Sequence, residues 1–203
     1  MDAILLAAGN STRFGGNKLL HEIDGKQMYR IVLEHLYQLL QDGKLENLVV
    51  VTQYEEIENI ILSSMEEVMV VRNMRPEEGI SSSIQLGIEM IESVCHESEA
   101  CMFCVSDQPY MKQATIQAFI EDYRNKCDAS KKIGICAHGN RGGNPVIFPK
   151  SYYGELKQLT GDKGGKQIVM KHLDAAYLFP VEEYELEDVD VSPKRIWSKT
   201  GKL

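Results

Sequence analysis

Short apolar runs alternate along the chain with segments whose apolar residues recur every three or four positions. Runs of strand length occupy 3–7, 48–52, 68–71, 101–105, 133–137, 145–148 and 177–181. In between, residues such as Met28, Val32, Leu36 and Leu39 have the spacing of an amphipathic helix. Similar helical faces are expected at 57–61, 84–91 and 116–123. The pattern predicts strands and helices in regular alternation, followed by an extra strand.

This alternation predicts an α/β fold built on a mostly parallel sheet. Strands that are apolar throughout are buried on both faces, and the helices between them supply the crossovers that parallel strands need. We expect a three-layer, Rossmann-like architecture with right-handed connections. No repeat or long Pro/Gly/Ser linker divides the sequence, so a single domain over 1–203 is expected. Ligands of such sheets bind beyond the carboxyl ends of the strands, here after Ala7, Val71 and Val105.

Composition narrows the possible partners. The net charge is −8 and no basic tract occurs, which argues against a nucleic-acid partner and fits a small anionic ligand met by a few cations. No apolar stretch reaches the ~18 residues of a membrane span, and the N-terminus has no signal-peptide pattern. We therefore expect a cytoplasmic protein with no membrane partner.

The cysteines and histidines give no sign of a metal or redox centre. Five cysteines are an odd number, and several fall in apolar segments, as expected of reduced thiols. Cys101 and Cys104 form a C-x-x-C, but a strand would direct them to opposite faces. The five histidines lack zinc-binding spacing. The acidic run at 182–190 is interpreted mostly as a solvated face, except for its last members.

A glycine-rich loop with two cations directly follows the first apolar run. Gly9, Gly15 and Gly16 allow the backbone to approach a ligand, while Arg13 and Lys18 supply positive charge. The loop has neither the G-x-G-x-x-G of dinucleotide-binding folds nor the Gly-Lys-Ser/Thr of a Walker A loop. It predicts a triphosphate-binding site, the alternative being an ordinary surface turn.

The segment 6–18 resembles the L-A-A/G-G-x-S-x-R-F/M-G-x-x-K signature of the MobA-like nucleotidyltransferases. Among them it is most similar to the molybdenum cofactor cytidylyltransferases, and the similarity extends in order through almost the whole chain. The resemblance implies a sheet of the nucleotide-diphospho-sugar transferase type and a catalytic role for Arg13 and Lys18. It implies that the nucleotide is bound by Leu6, Ala7, Ala8, Gly9, Arg13 and Lys18. Ala8, where guanylyltransferases commonly carry Gly, favours CTP.

Two acidic positions are candidate Mg²⁺ ligands. Asp107 ends an apolar strand in the motif Ser-Asp-Gln-Pro, and the resemblance implies that it binds the metal and is catalytic. A carboxylate at such a strand end suits a cation that also bridges substrate phosphates, although an Asp before a Pro turn can also serve as a cap. Asp188-Val189-Asp190 resembles the family's D-I-D-T-P segment, in which Asp190 is equated with the metal ligand and Asp188 is the alternative.

Three further segments are candidate substrate contacts. Ser81, Ser82 and Ser83 open a predicted helix, and they either cap it or, as the resemblance implies, contact the base or ribose. The resemblance also implies acceptor contacts in a G-H/N-P-V turn and a G-D-x-G-A-R loop. The corresponding residues are Asn144, Pro145, Asp162 and Lys166. Lys166 stands where the family has Arg, which keeps the charge and loses bidentate binding.

The implied function is transfer of CMP from CTP, or of a nucleotide from another NTP, to the terminal phosphate of a molybdopterin-type acceptor. Pyrophosphate is released, Mg²⁺ is the cofactor, and a molybdenum hydroxylase is a candidate partner for the product. Two alternatives remain. The acceptor could be a sugar or alcohol phosphate, or the protein could be a non-catalytic nucleotide-binding accessory protein for such a hydroxylase.

Overall fold

We obtained the structure as a computed structural model, which describes residues 1–9, 17–94, 98–127 and 131–189. The strands are β1 Asp2–Ala7, β2 Glu22–Ile23, β3 Lys26–Gln27, β4 Leu48–Thr52, β5 Val68–Arg72, β6 Ala100–Val105, β7 Ile133–His138, β8 Arg141–Pro149 and β9 Ala176–Pro180. The α-helices are α1 Met28–Gln41, α2 Glu55–Ser64, α3 Ile80–Val94, α4 Gln113–Lys126, α5 Tyr153–Lys157 and α6 Lys166–Lys171.

Within these residues, seven strands form one sheet in the order β5-β4-β1-β6-β8-β7-β9. The pairs are parallel except those of β8, which is antiparallel to both β6 and β7. The α/β class and the mostly parallel sheet predicted from the sequence are confirmed. β8 reverses because only Gly139 and Asn140 separate it from β7, and two residues can form a hairpin but not a crossover.

Apolar side chains cover the sheet on both faces, which makes the three layers. Ala3, Leu5 and Ala7 of β1 pack into a core with residues of α1, α2 and α4. Ile4 of the same strand packs into a second core with residues of α3, α5 and α6. This is the alternation that a strand buried on both faces requires.

The cysteines of β6 follow the same alternation. Cys104 lies in the core below α1 and α4, and Cys101 lies in the opposite core. Burial raises the pKa of both thiols, and that of Cys136, so they stay protonated. The prediction that Cys101 and Cys104 point to opposite faces of their strand is confirmed.

The parallel register brings the carboxyl ends of the central strands to one edge. Leu6 of β1 lies opposite Val105 of β6 and opposite Val51 of β4. The loops after β1, β5 and β6 therefore leave the sheet on the same side, which we call the carboxyl edge. Over the described ranges, no helix combines the length and the apolar composition that a membrane span needs.

Candidate active site

Lys18 and Asp107 form an ion pair at the carboxyl edge. The Lys18 Nζ lies 2.7 Å from Asp107 Oδ2, with the Lys18 side chain 12% exposed and that of Asp107 28% exposed. Lys18 begins a short 3₁₀ turn that Asn17 caps, its Oδ1 accepting from the Leu19 N–H at 3.1 Å. Two residues selected separately from the sequence are thus in direct contact.

Hydrogen bonds tie the turn that carries Asp107 to the end of β1. The Ser106 hydroxyl donates to the Leu6 carbonyl at 3.0 Å, and the Ser106 N–H donates to the same oxygen at 3.2 Å. Asp107 therefore lies in a turn whose first residue is bound to β1. Arg13 belongs to 10–16, outside the described residues, so its predicted phosphate contact stays a prediction.

Two side chains that follow β4 bind the backbone directly after β1. Gln53 Nε2 donates to the Ala8 carbonyl at 2.9 Å, and the Tyr54 hydroxyl donates to the Gly9 carbonyl at 2.9 Å. The first residues of the predicted triphosphate loop therefore have a defined path. Gln53 and Tyr54 were not selected from the sequence, because an amide and a phenol that bind backbone carbonyls leave no motif.

Asn73 organises the loop that precedes α3. Its side chain is 3% exposed, and its Nδ2 donates to the hydroxyls of Ser82 and Ser83, each at 2.9 Å. The Ser82 hydroxyl donates in turn to the Gly79 carbonyl at 2.8 Å. Ser81 directs its hydroxyl to the Glu78 carbonyl at 3.3 Å. The three serine hydroxyls thus serve the start of α3, and their predicted contact with a base or ribose stays a prediction.

The loop that carries Asp162 packs directly on the start of α3. Gly79 has φ +81°, and a Cβ added there would lie 2.3 Å from the carbonyl carbon of Gly161. The Ser81 N–H donates to the Gly161 carbonyl at 3.2 Å. Asp162 is exposed beside this contact, and Lys166, also exposed, begins α6. The candidate acceptor loop therefore adjoins the candidate nucleotide loop.

Asn144 and Pro145 lie on β8 near the same edge. Val146 is opposite Phe103 of β6, so these two residues extend beyond the last paired position toward the carboxyl end of β6. The peptide bond between Asn144 and Pro145 is cis. Their predicted role in acceptor binding fits this placement and stays a prediction.

The segment 186–189 brings a second acidic residue to the Asp107 turn. The Val189 N–H donates to the Asp107 carbonyl at 2.9 Å, and Gln108 Nε2 donates to Asp188 Oδ1 at 2.8 Å. Asp190 lies outside the described residues, so its assignment as a metal ligand stays a prediction, and Asp188, the alternative, is the residue that contacts Gln108.

The donor set suits a cation shared with a substrate. In the part of the chain that the structure describes, no group of three or more His, Cys, Asp or Glu residues could enclose a metal. Mg²⁺ is commonly held by one or two carboxylates, substrate phosphates and waters, without an all-protein cage. The partly exposed carboxylate of Asp107 fits that arrangement.

One acidic residue departs from the sequence interpretation. Glu185, placed with the solvated acidic face, is 2% exposed. Its carboxylate accepts from the Thr115 hydroxyl at 2.6 Å and from the Lys112 N–H at 3.2 Å. It satisfies donors at the start of α4, where a negative charge is also favoured by the helix dipole.

The sequence matches a known protein family over most of its length. The MobA-like NTP transferase domain matches residues 3–176. The chain belongs to this family. The match covers the Lys18–Asp107 pair and the candidate acceptor residues on β8 and in the 161–166 loop, and it ends before Asp188.

Two curated relatives share parts of the sequence. The bifunctional protein GlmU of Campylobacter fetus subsp. fetus is 27% identical over 150 residues, which are 71% of this chain and 30% of that protein. A probable molybdenum cofactor guanylyltransferase of Thermococcus sibiricus is 39% identical over 59 residues, 29% of each. The matches thus span less than a third of the length of these relatives.

Solved structures share the fold at lower identity. Rv0371c of Mycobacterium tuberculosis H37Rv superposes with a TM-score of 0.75 and 21% identity over 98% of both chains. A complex of the same protein with manganese gives a TM-score of 0.67 and 20% identity, covering 89% of this chain and 87% of that one. This MobA-like NTP transferase therefore shares its fold, over almost its whole length, with solved proteins.

Proposed function

We propose that this MobA-like NTP transferase moves CMP from CTP to the terminal phosphate of a molybdopterin-type acceptor, releasing pyrophosphate. The Lys18–Asp107 contact carries the proposal, because it joins at one point of the carboxyl edge the cation that we assign to phosphate and the carboxylate that we assign to the metal. Family membership over 3–176 supports nucleotide transfer as the reaction class.

The reaction needs no protein nucleophile. An oxygen of the acceptor's terminal phosphate is ionised at neutral pH and attacks the α-phosphorus of the nucleotide. The new O–P bond forms as the bond to the β-phosphate oxygen breaks, and pyrophosphate leaves with that electron pair. The protein must align the two phosphates and balance their negative charge. Lys18 contributes positive charge, as Arg13 is predicted to do, and Asp107 would hold the cation.

Lys18 and Asp107 must exchange partners when nucleotide and cation bind. In the structure the Lys18 ammonium contacts the carboxylate that we assign to the metal. A triphosphate attracts that ammonium and leaves Asp107 available to the cation. A divalent ion held there would neutralise phosphate oxygens of the substrate. We propose Mg²⁺, and the manganese complex of a relative of the same fold supports a divalent ion in general.

The two substrates would lie on either side of the α3 start. We assign the nucleotide to Leu6, Ala7, Ala8, Gly9, Lys18 and the 81–83 turn, and the acceptor to Asn144, Pro145, Asp162 and Lys166. We choose CTP because Ala8 stands where guanylyltransferases commonly carry Gly. The similarity to a probable guanylyltransferase makes GTP the second candidate. A molybdenum hydroxylase would receive the product.

Pyrophosphate release tests the proposal. Wild-type protein is incubated with CTP, GTP, ATP or UTP, with Mg²⁺, and with either molybdenum cofactor or a sugar phosphate. Asp107→Asn should abolish release. Asp174→Asn, on the turn that precedes the amino end of β9 at the opposite edge, should leave it unchanged. Pyrophosphate release with the sugar phosphate but not with molybdenum cofactor would mean that the acceptor is a sugar phosphate. No release with any combination of nucleotide and acceptor would favour a non-catalytic accessory protein. Full activity of Asp107→Asn would refute the metal assignment.

A further inference from the structure

Gln108, directly after Asp107, connects the strand end to a distant part of the chain. Its side chain is buried, with 5% exposed, and its Nε2 donates to Asp188 Oδ1 at 2.8 Å. The same nitrogen makes a longer contact of 3.5 Å with the Leu186 carbonyl. A buried amide costs free energy unless its polar atoms have partners, so these contacts set the position of the 186–189 segment.

Backbone and apolar contacts hold the same segment from other sides. The Val189 N–H donates to the Asp107 carbonyl at 2.9 Å. Leu186 is 2% exposed and lies over Gly143 of β8, where an added Cβ would come within 2.9 Å of the leucine Cδ2. Both ends of the segment are therefore held, and Gln108 binds the Asp188 carboxylate between them.

We propose that Gln108 is a positioning residue for the metal site, acting through the Asp188 carboxylate. This rests on the proposed function, in which Asp107 holds the cation. The Gln108 amide orients the Asp188 carboxylate, on the segment that is bound to the Asp107 turn, and it adds no positive charge, so the negative potential that attracts the cation is kept. Substitution of such outer-shell partners typically weakens metal binding by about 10- to 100-fold.

Metal binding tests this without turnover. Mn²⁺ affinity is measured on the full chain in the presence of CTP, by titration with detection of free Mn²⁺ by electron paramagnetic resonance. Gln108→Met keeps the side-chain volume and removes the donor, and Gln108→Ala serves as the second variant. Both should bind Mn²⁺ about 10- to 100-fold more weakly than wild type. CTP affinity without metal should not change.

Gln85→Ala is the matched control. Gln85 also bridges two segments, its Nε2 donating to the carbonyls of Lys157 and Leu159 at 2.9 Å each, but it contacts the acceptor side. It should leave Mn²⁺ affinity at the wild-type value. An equal loss in Gln85→Ala and Gln108→Met would mean a general structural effect and would overturn the proposal.

A double-mutant cycle shows whether Gln108 acts through Asp188. If it does, Gln108→Met combined with Asp188→Asn should lose no more Mn²⁺ affinity than the more damaging single variant. Additive losses would overturn the proposal. Wild-type Mn²⁺ affinity in Gln108→Met, with loss in Asp107→Asn, would remove Gln108 and leave the proposed function intact. Conversely, coupling to Asp188 without turnover on any acceptor would retain the Gln108 role and reject the transfer reaction.

Discussion

Replacing Lys18 should strengthen metal binding to the nucleotide-free protein. In the structure, the Lys18 ammonium contacts the Asp107 carboxylate, so an incoming divalent cation has to displace it. Lys18→Met keeps an unbranched apolar stem and removes the charge. The variant should therefore bind Mn²⁺ more tightly than wild type when no nucleotide is present, although the same lysine is proposed to assist catalysis.

The burial of the pair sets the size of the effect. With side chains 12% and 28% exposed, the pair lies between a surface ion pair, about 0–1 kcal/mol, and a fully buried one. A hydrogen bond to a charged group contributes about 1.5–3 kcal/mol. Loss of this competitor should raise Mn²⁺ affinity roughly 10- to 150-fold, since each 1.4 kcal/mol is tenfold.

The sign of the effect should reverse when CTP is added. The ammonium is then expected on the triphosphate, so its removal weakens the ternary complex by about the same 1.5–3 kcal/mol. Titration of Mn²⁺ with detection of the free ion, with and without CTP, measures both states. Lys18→Arg should remain near wild type without CTP because it keeps the charge. Lys157→Met, which breaks a pair with Glu92 of similar length, 2.8 Å, should change neither affinity.

Two results would refute this reasoning. If Lys18→Met binds Mn²⁺ no better than wild type without nucleotide, the ammonium does not compete with the cation at Asp107. If the variant binds CTP and Mn²⁺ together as tightly as wild type, Lys18 does not contact the triphosphate. The second result would remove Lys18 from the nucleotide site altogether.

Two further predictions concern the fold around the site. Gly79→Ala should lower the free energy of unfolding and raise the KM for the acceptor, because its Cβ would displace Gly161. Gly139 also has a positive φ but has no atom close to an added Cβ. Gly139→Ala should therefore lower the free energy of unfolding by only about 1–2 kcal/mol and leave the KM unchanged. Burial holds the pKa of His35 below its ordinary 6.5, so the unfolded chain binds that proton more readily and stability should fall as the pH drops below 6.5. Urea unfolding above and below this pH should show a smaller fall in His35→Gln, and an unchanged fall would exclude His35 as the cause.

The sequence predicts strands well where burial is continuous. The run at 48–52 matches β4 residue for residue, because every side chain in it is buried. β8 is different. It begins at Arg141, four residues before its apolar run, and Gly142, Gly143 and Asn144 carry no strand signal. Pairing with β7 through a two-residue connection extends it, and that pairing is a tertiary effect that local propensity does not encode.

The sequence identifies individual residues of the candidate site, but it does not show that they are in contact. Lys18 and Asp107 were each selected from local motifs 89 residues apart. Their meeting depends on β1 lying beside β6, with Leu6 opposite Val105, and strand order is a long-range property. Gln53 and Asn73 were missed, and Gln108 was given no role of its own within its motif, for a chemical reason. An uncharged amide buried among carbonyls and hydroxyls has no characteristic spacing, so only the three-dimensional contacts identify it.

The start of α3 links the two halves of the proposed site. Asn73, at the end of β5, binds the hydroxyls of Ser82 and Ser83 from the nucleotide side. Gly161 packs against Gly79 from the acceptor side, closer than any Cβ would allow. Because both contacts fall within five residues of one helix start, a shift that accommodates a different base would also move the acceptor loop. Base and acceptor preference should therefore change together in variants of this turn, whereas substitutions at the exposed Asp162 or Lys166 should alter acceptor preference alone.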